Sequence, residues 1–148
     1  MSVAAKAAST EQRRRLQVRD REAVKYRRVQ LQCGERVLSE AENWYVPGRL
    51  TAKMNRLLET TDTPFGRAIA ALEPYRQAFS VNILWSPLPD GWELESHTLP
   101  PATGGALTIR DAIFEHRAIL YTREHRPFSE VDEVYTRQLL AFLPRSQQ

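Results

Sequence analysis

Cysteine is nearly absent from this chain of 148 residues, and its scarcity limits the chemistry that the chain can carry. The single Cys33 allows no internal disulfide and no zinc site built on cysteine. The histidines, His97, His116 and His125, lack the spacing of metal ligands, so we expect no metal. No segment approaches the ~20 apolar residues that a membrane span requires, and the N-terminus lacks the apolar core of a secretory signal. We therefore expect a cytoplasmic protein without a membrane span.

An excess of positive charge is confined to one stretch of a chain whose net charge is only +3. A basic stripe is typical of nucleic-acid binders. Here, however, Glu11, Asp20 and Glu22 are mixed through the run, and aromatic side chains that could stack on bases are missing nearby. We interpret the stretch as the solvated face of an amphipathic helix and expect no nucleic-acid partner. Its basic members are Arg13, Arg14, Arg15, Arg19, Arg21, Lys25, Arg27 and Arg28.

The chain divides into a short tip and one domain. Residues 1–9 are small and polar and are expected to be disordered, and residues 10–148 are expected to form a single domain. Thr10 can begin a helix that runs to about Ala23, although its apolar spacing is weak.

From Tyr26 the apolar period changes to two, which predicts strands. Alternation continues to Cys33, residues 34–36 form a turn, and Val37–Val46 reads as the returning strand of a hairpin. Further along the chain, apolar spacing predicts helices at 50–59 and Phe65–Leu72 and a strand at Tyr75–Trp85. A long loop is predicted at Ser86–Gly105, followed by a second hairpin whose strands are 115–122 and 128–135. This order favours an α+β fold in which helices cover one face of an antiparallel sheet and a ligand pocket is enclosed.

Three stretches, in this order, resemble the chorismate pyruvate-lyase (4-hydroxybenzoate synthase) family. The first is the hairpin from Tyr26 to Gly34, followed by Leu38-Ser39-Glu40-Ala41 and Val46-Pro47. The second is Thr63-Pro64-Phe65-Gly66-Arg67, and the third is Arg126-Pro127-Phe128 leading to Glu133-Val134-Tyr135. Together they cover a little under half of the chain.

The resemblance implies a chorismate lyase-like domain that binds a small aromatic carboxylic acid. In the family, pyruvate is eliminated from chorismate to give 4-hydroxybenzoate, a ubiquinone precursor, without a cofactor. An arginine pairs with the ring carboxylate, a glutamate lies near the ether or hydroxyl oxygen, and backbone amides at the Pro-Leu-Gly turn contact the ligand. A guanidinium matches a carboxylate bidentately, and a carboxylic acid in an apolar pocket can stay protonated.

Carried over, the resemblance assigns the glutamate to Glu133 and the turn to Phe65 and Gly66. The arginine is either Arg27 or Arg28. Counting back from Val46-Pro47 selects Arg28, whereas strand alternation selects Arg27, which we prefer, because only one of two neighbours can face the pocket. Glu133 and Arg27 are then the catalytic pair, and Arg27 or Arg28, Phe65, Gly66 and Glu133 are the substrate-binding residues. Each also has a structural interpretation: solvent-facing arginines, an edge-strand charge at Glu133, and a core Phe65.

We predict a chorismate lyase-like enzyme that eliminates pyruvate from chorismate, or from a related aromatic or enolpyruvyl acid, and two departures from the family bear on that prediction. The segment before the first hairpin is too short and too charged to supply the family's lid. The loop at Ser86–Gly105 is longer than expected and is either a substitute flap or decoration. The alternatives are a non-catalytic, sensor-type ligand-binding domain of the same fold, and a truncated paralogue. In each case we expect a monomer or a small homo-oligomer.

Overall fold

One antiparallel sheet organises the described part of the chain. The computed structural model describes residues 5–88, 91, 94 and 108–142. The strands are β1 (Lys25–Cys33), β2 (Arg36–Tyr45), β3 (Tyr75–Ile83), β4 (Ala112–Tyr121) and β5 (Pro127–Thr136), in the spatial order β1-β2-β5-β4-β3. The helices are α1 (Thr10–Arg15), α2 (Ala52–Thr60) and α3 (Phe65–Ala68), with 3-10 turns at Pro47–Arg49, Ala70–Leu72 and Arg137–Phe142. The predicted α+β class is confirmed.

Both predicted hairpins are present. β1 pairs with β2 and β4 pairs with β5, each antiparallel. The turns contain Gly34 at φ 60° and His125 at φ 62°, the left-handed conformation that a tight reversal requires and that glycine adopts without strain. The central strands β2 and β5 pair with each other, so the two hairpins form one continuous sheet.

Two predicted elements end earlier in the structure than the sequence predicts, and a third is divided. α1 stops at Arg15 instead of Ala23, because the backbone of Gln17 turns left-handed at φ 51°. The predicted helix over Phe65–Leu72 is divided into α3 and the turn at Ala70–Leu72. β3 ends at Ile83 instead of Trp85. Most of the predicted loop at Ser86–Gly105 lies outside the described residues.

Helices α2 and α3 cover one face of the sheet, as predicted. Their buried side chains, Leu58, Phe65, Ala68 and Ile69, form a core cluster with Tyr45 and Phe128 of the sheet. Thr51 caps the N-terminus of α2, and its hydroxyl accepts a hydrogen bond from the backbone N–H of Met54 at 3.2 Å. This core fixes the distance at which α3 stands from the sheet.

The N-terminal segment packs against the opposite face, which we call the back face. Leu16 is fully buried there with Trp44 and Val46. Tyr26 stacks at a tilt on Trp44, and its hydroxyl donates to Glu42 at 2.7 Å. Burial, together with this hydrogen bond, raises the pKa of Tyr26 to about 12.

Arg49 joins this segment to the turn that follows β2. Its guanidinium is almost fully buried and donates to both carboxylate oxygens of Glu22, at 2.9 and 2.8 Å. It also donates to three backbone carbonyls, those of Leu16, Gln17 and Pro127. With every donor nitrogen in use, Arg49 stabilises the fold and has no capacity left for a ligand.

A buried carboxylate anchors α1 to the back face. Glu130 has no exposed surface, and its two oxygens accept from Nε and Nη2 of Arg15, both at 2.8 Å. Arg117 lies 3.4 Å from the same carboxylate. The ring of Phe79 lies beside both guanidinium groups, with centroid distances of 4.7 Å to Arg15 and 5.2 Å to Arg117. The bidentate geometry compensates the cost of burying Glu130.

We predict that Glu130→Ala lowers the free energy of unfolding by about 3 kcal/mol, because two cations lose the carboxylate that they surround. Urea denaturation followed by circular dichroism measures the change. Glu11→Ala is the matched control, since Glu11 pairs with Arg14 and Arg15 on the exposed side of α1, and its midpoint should hardly move. Equal midpoints for the two variants would contradict the anchoring role of Glu130.

Candidate ligand-binding cleft

A cleft of about 860 Å³ lies between the helix-covered face of the sheet and the segment from α2 to α3. Its sheet side is set by register: Arg27, Val29 and Leu31 of β1 pair with Asn43, Ala41 and Ser39 of β2. Ala41 and Asn43 pair in turn with Glu133 and Val131 of β5. Directly paired residues point to the same face. We call this side of the sheet the cleft face. The opposite wall is formed by residues of the segment from α2 to α3, namely Leu58, Glu59, Thr61, Asp62, Pro64, Phe65, Gly66 and Ile69.

Arg27 lies on the cleft face and is half-buried. Its Nη2 donates to the carbonyl oxygen of Thr61 at 3.1 Å, while its Nη1 is shielded from solvent and has no hydrogen-bond partner. Within the described residues no carboxylate forms an ion pair with it. Burial lowers the pKa of Arg27 from its ordinary value, and the charges of Tyr45 and the exposed Asp62 oppose that shift. The guanidinium nevertheless stays cationic, as arginine does in proteins.

Arg28 lies at the rim, and its guanidinium is already paired. Its Nη2 donates to Glu40 in an exposed ion pair, and Gln30 donates to the other oxygen of Glu40 at 2.6 Å. Of the two candidate arginines, the register places Arg27 in the cleft and Arg28 in a surface network.

Glu133 lies on the cleft face within a cluster of donors. Ser39 Oγ donates to Oε1 at 2.8 Å, Tyr135 Oη donates to Oε2 at 3.0 Å, and Arg76 donates to Oε2 at 3.3 and 3.4 Å. Arg76 Nη2 also contacts Nδ1 of His116 at 2.8 Å. Burial is the main cause that raises the pKa of Tyr135, and the neighbouring Glu133 carboxylate adds to it. In these contacts the Glu133 carboxyl group accepts hydrogen bonds from Ser39, Tyr135 and Arg76.

Phe65 and Gly66 form part of the helix wall of the cleft. Phe65 is 5% exposed and packs on the ring of Tyr45 with a centroid distance of 5.7 Å. Gly66 is exposed, and a Cβ there would meet no atom within 4 Å. The structure thus gives Phe65 a core role as well as a lining role, and a side chain at Gly66 would meet no steric obstacle.

Asn43 is a cleft residue that sequence reasoning missed. It stands near the C-terminal end of β2, paired with Arg27 on one side and Val131 on the other, and is 2% exposed. Its amide nitrogen Nδ2 has no hydrogen-bond partner. The available signal was strand alternation, which places it on the same face as Ala41 and Ser39. Arg76 was also missed, because nothing local in β3 predicts that its side chain reaches across β4 to Glu133.

The two ends of the cleft face differ in chemistry. At one end Arg27 and Asn43 each have a donor nitrogen without a partner, whereas at the other end Glu133 is an acceptor surrounded by donors. Arg27 and Glu133 are two strands and two residues apart, which corresponds to about 12 Å between Cα atoms. Between them lie Val29, Ala41 and Val131, so the cleft has a cationic end, an apolar middle and a polar end.

The described residues show neither a candidate metal cluster nor a candidate membrane helix. No group of three or more His, Cys, Asp or Glu side chains among them could hold a metal ion. None of the helices α1 to α3, nor any 3-10 turn in the described part, is long and apolar enough to cross a membrane.

The comparisons with solved structures identify the fold. The chain superposes on the ligand-binding domain of a protein assigned to the GntR family of transcriptional regulators in Bordetella bronchiseptica, with a TM-score of 0.52 and 19% identity over 88% of this chain and 78% of that one. The C-terminal domain of Yurk from Bacillus subtilis gives a TM-score of 0.56 and 13% identity over 93% and 88% of the two chains. The chain therefore has the predicted chorismate lyase-like fold.

Among curated proteins, the chain is 46% identical over 137 residues to y4mC of Sinorhizobium fredii (strain NBRC 101917 / NGR234), a protein described as uncharacterized. The match covers 93% of this chain, which spans only 57% of the length of that relative. No family model matches the chain.

We predict that the Ser39–Glu133 hydrogen bond couples the two residues energetically. In a double-mutant cycle with Ser39→Ala and Glu133→Gln, the coupling energy should be about 1–2 kcal/mol, because the serine is buried and its acceptor is charged. Chemical denaturation of the four proteins gives the value. The matched cycle pairs Ser39→Ala with Glu40→Gln, which lies on the other face, and should couple by less than about 0.5 kcal/mol. Equal coupling in both cycles would contradict the prediction.

Proposed function

We propose that this domain binds a small aromatic carboxylic acid in the cleft and acts as a sensor-type ligand-binding domain. The observation that carries the proposal is Arg27, a half-buried cation on the cleft face whose Nη1 lacks a partner. A buried cation without an anion is costly, and a carboxylate that docks on it removes that cost with a geometry matched to the guanidinium fork. The structural relative from Bordetella bronchiseptica, described as a ligand-binding domain, supports the same conclusion.

The middle of the cleft suits an aromatic body. Val29, Leu31 and Val131 line the sheet side, and Phe65 and Ile69 line the helix side. Leu31 is 56% exposed, which is high for a large apolar side chain that lines a cleft. A flat ring lying across these residues would remove apolar surface from water, at roughly 25 cal/mol per Å².

The polar end supports binding more than lyase chemistry. To assist a departing ether oxygen, Glu133 would have to donate a hydrogen to it, whereas in the structure both carboxyl oxygens accept hydrogen bonds, from Ser39, Tyr135 and Arg76. Its oxygens retain lone pairs that can accept from a ligand hydroxyl group. A ligand such as 4-hydroxybenzoate would then place its carboxylate at Arg27 and its hydroxyl at Glu133.

We expect Arg27→Ala to weaken binding of 4-hydroxybenzoate by at least about thirtyfold, since truncating one partner of a desolvated charge pair costs ~2–5 kcal/mol. Isothermal titration calorimetry gives the dissociation constants. Arg28→Ala is the matched control on the adjacent residue, and its affinity should stay within about threefold of wild type because Arg28 is an exposed, paired cation. Small and equal losses in both variants would rule out an arginine anchor.

We further expect the purified protein to leave chorismate unconverted beyond its spontaneous breakdown. Chromatography for 4-hydroxybenzoate and a coupled assay for pyruvate measure conversion. The informative variant is Glu133→Gln, which retains size and hydrogen bonding but cannot deliver a proton. Protein-dependent pyruvate release that falls ~10²–10⁴-fold in Glu133→Gln would instead establish the chorismate lyase function.

A further inference from the structure

We infer that Asn43 is a second donor to the ligand's carboxylate, beside Arg27. Together the two side chains make the cationic end of the cleft selective for a monoanionic carboxylate. The inference rests on the proposed function and assigns a residue that the family resemblance does not supply. Asn43 is paired directly with Arg27 across the β1–β2 hairpin, so the two side chains leave the same face of the sheet as nearest neighbours.

The state of its amide group distinguishes Asn43 from an ordinary strand residue. The side chain is 2% exposed, and its Nδ2 is shielded from water with no hydrogen-bond partner. Other side chains with a buried unpartnered atom, such as Trp44, Asn55 and Ser129, do not line the cleft, whereas Arg27 and Asn43 both do. An acceptor that reaches Nδ2 satisfies a donor that has no partner among the described residues.

The charges around the cleft indicate a ligand with a single negative charge. Arg28 is paired with Glu40, and Arg76 is paired with Glu133. Among the arginines that line the described cleft, Arg27 is therefore the one without an ion pair, and the exposed Asp62 partly offsets its charge. One uncompensated cation and one neutral amide donor match the two oxygens of a carboxylate. A phosphate dianion would bring a second negative charge that the described residues do not balance.

The test is Asn43→Leu, which keeps the approximate size of the side chain and removes the amide. If the unpaired amide is retained for the ligand, the ligand-free variant should unfold at a higher temperature than wild type, because a buried unsatisfied group is replaced by an apolar one. The same variant should bind 4-hydroxybenzoate about tenfold to a hundredfold more weakly, the loss expected for a hydrogen bond to a charged group. Differential scanning calorimetry and titration calorimetry provide the two measurements.

Asn82→Leu is the matched control, since Asn82 is an exposed strand residue that donates to Glu115 at 2.9 Å. It should neither raise the unfolding temperature nor change the affinity. If Asn43→Leu does not fold, Asn43→Ala takes its place, and the same loss of affinity is expected for it. Wild type should also bind 4-hydroxybenzoate more tightly than 4-hydroxyphenyl phosphate.

The possible failures are distinguishable. If Arg27→Ala abolishes binding while Asn43→Leu binds as wild type does, the proposed function stands and the role of Asn43 is overturned. A lower unfolding temperature with unchanged affinity would show that Asn43 is structural. Tighter binding of the aryl phosphate would overturn the monoanion selectivity, and wild type binding neither compound would overturn both proposals.

Discussion

The register of β1 on β2 is the constraint on which the candidate site depends. Gly34 adopts the left-handed conformation at the turn and lets the chain reverse tightly. Beyond a register shift between Leu31 and Gln32, the ladder pairs Arg27 with Asn43 and Arg28 with Glu42. A shift of one residue would exchange the two arginines between faces and leave a different side chain in the cleft. The identity of the cation in the cleft is therefore decided by backbone hydrogen bonds rather than by the chemistry of arginine.

The buried polar side chains of this sheet differ in whether their hydrogen-bonding atoms have partners. Glu130 on the back face and Glu133 on the cleft face each accept from several side-chain donors. Arg27 and Asn43, by contrast, keep a nitrogen unpaired. Since most buried polar groups in proteins are paired, two neighbouring exceptions at one end of a cleft favour an acceptor supplied from outside the chain.

The parts of the fold that sequence reasoning could predict are those governed by local periodicity. Alternation from Tyr26 to Cys33 gave the first hairpin and the preference for Arg27. The end of α1 was not predictable in the same way, because its left-handed stop is at Gln17, a residue with no particular preference for that conformation. The donors to Glu133 were also out of reach: Ser39 and Arg76 come from distant parts of the chain, and their contacts depend on the strand order β2-β5-β4-β3. Strand alternation could have predicted that Asn43 lies on the cleft face. That its Nδ2 lacks a hydrogen-bond partner depends on the neighbouring strands and could not be predicted from the sequence.

Strand β5 relates the two faces of the sheet to each other. Its odd-numbered residues Val131 and Glu133 line the cleft, while the even-numbered Glu130 lies on the back face and holds Arg15 of α1. A ligand at Glu133 would therefore contact the same strand that anchors the N-terminal helix, three residues from Glu130, which is roughly 10 Å along the strand. Contact alone does not transmit a signal, since a ligand shifts an equilibrium only by its difference in affinity for the two states. A ligand in the cleft would act on α1 only if its affinity differed between a state with the Arg15–Glu130 pair formed and a state with that pair broken. That pair is the bidentate ionic contact between the described part of α1 and the sheet.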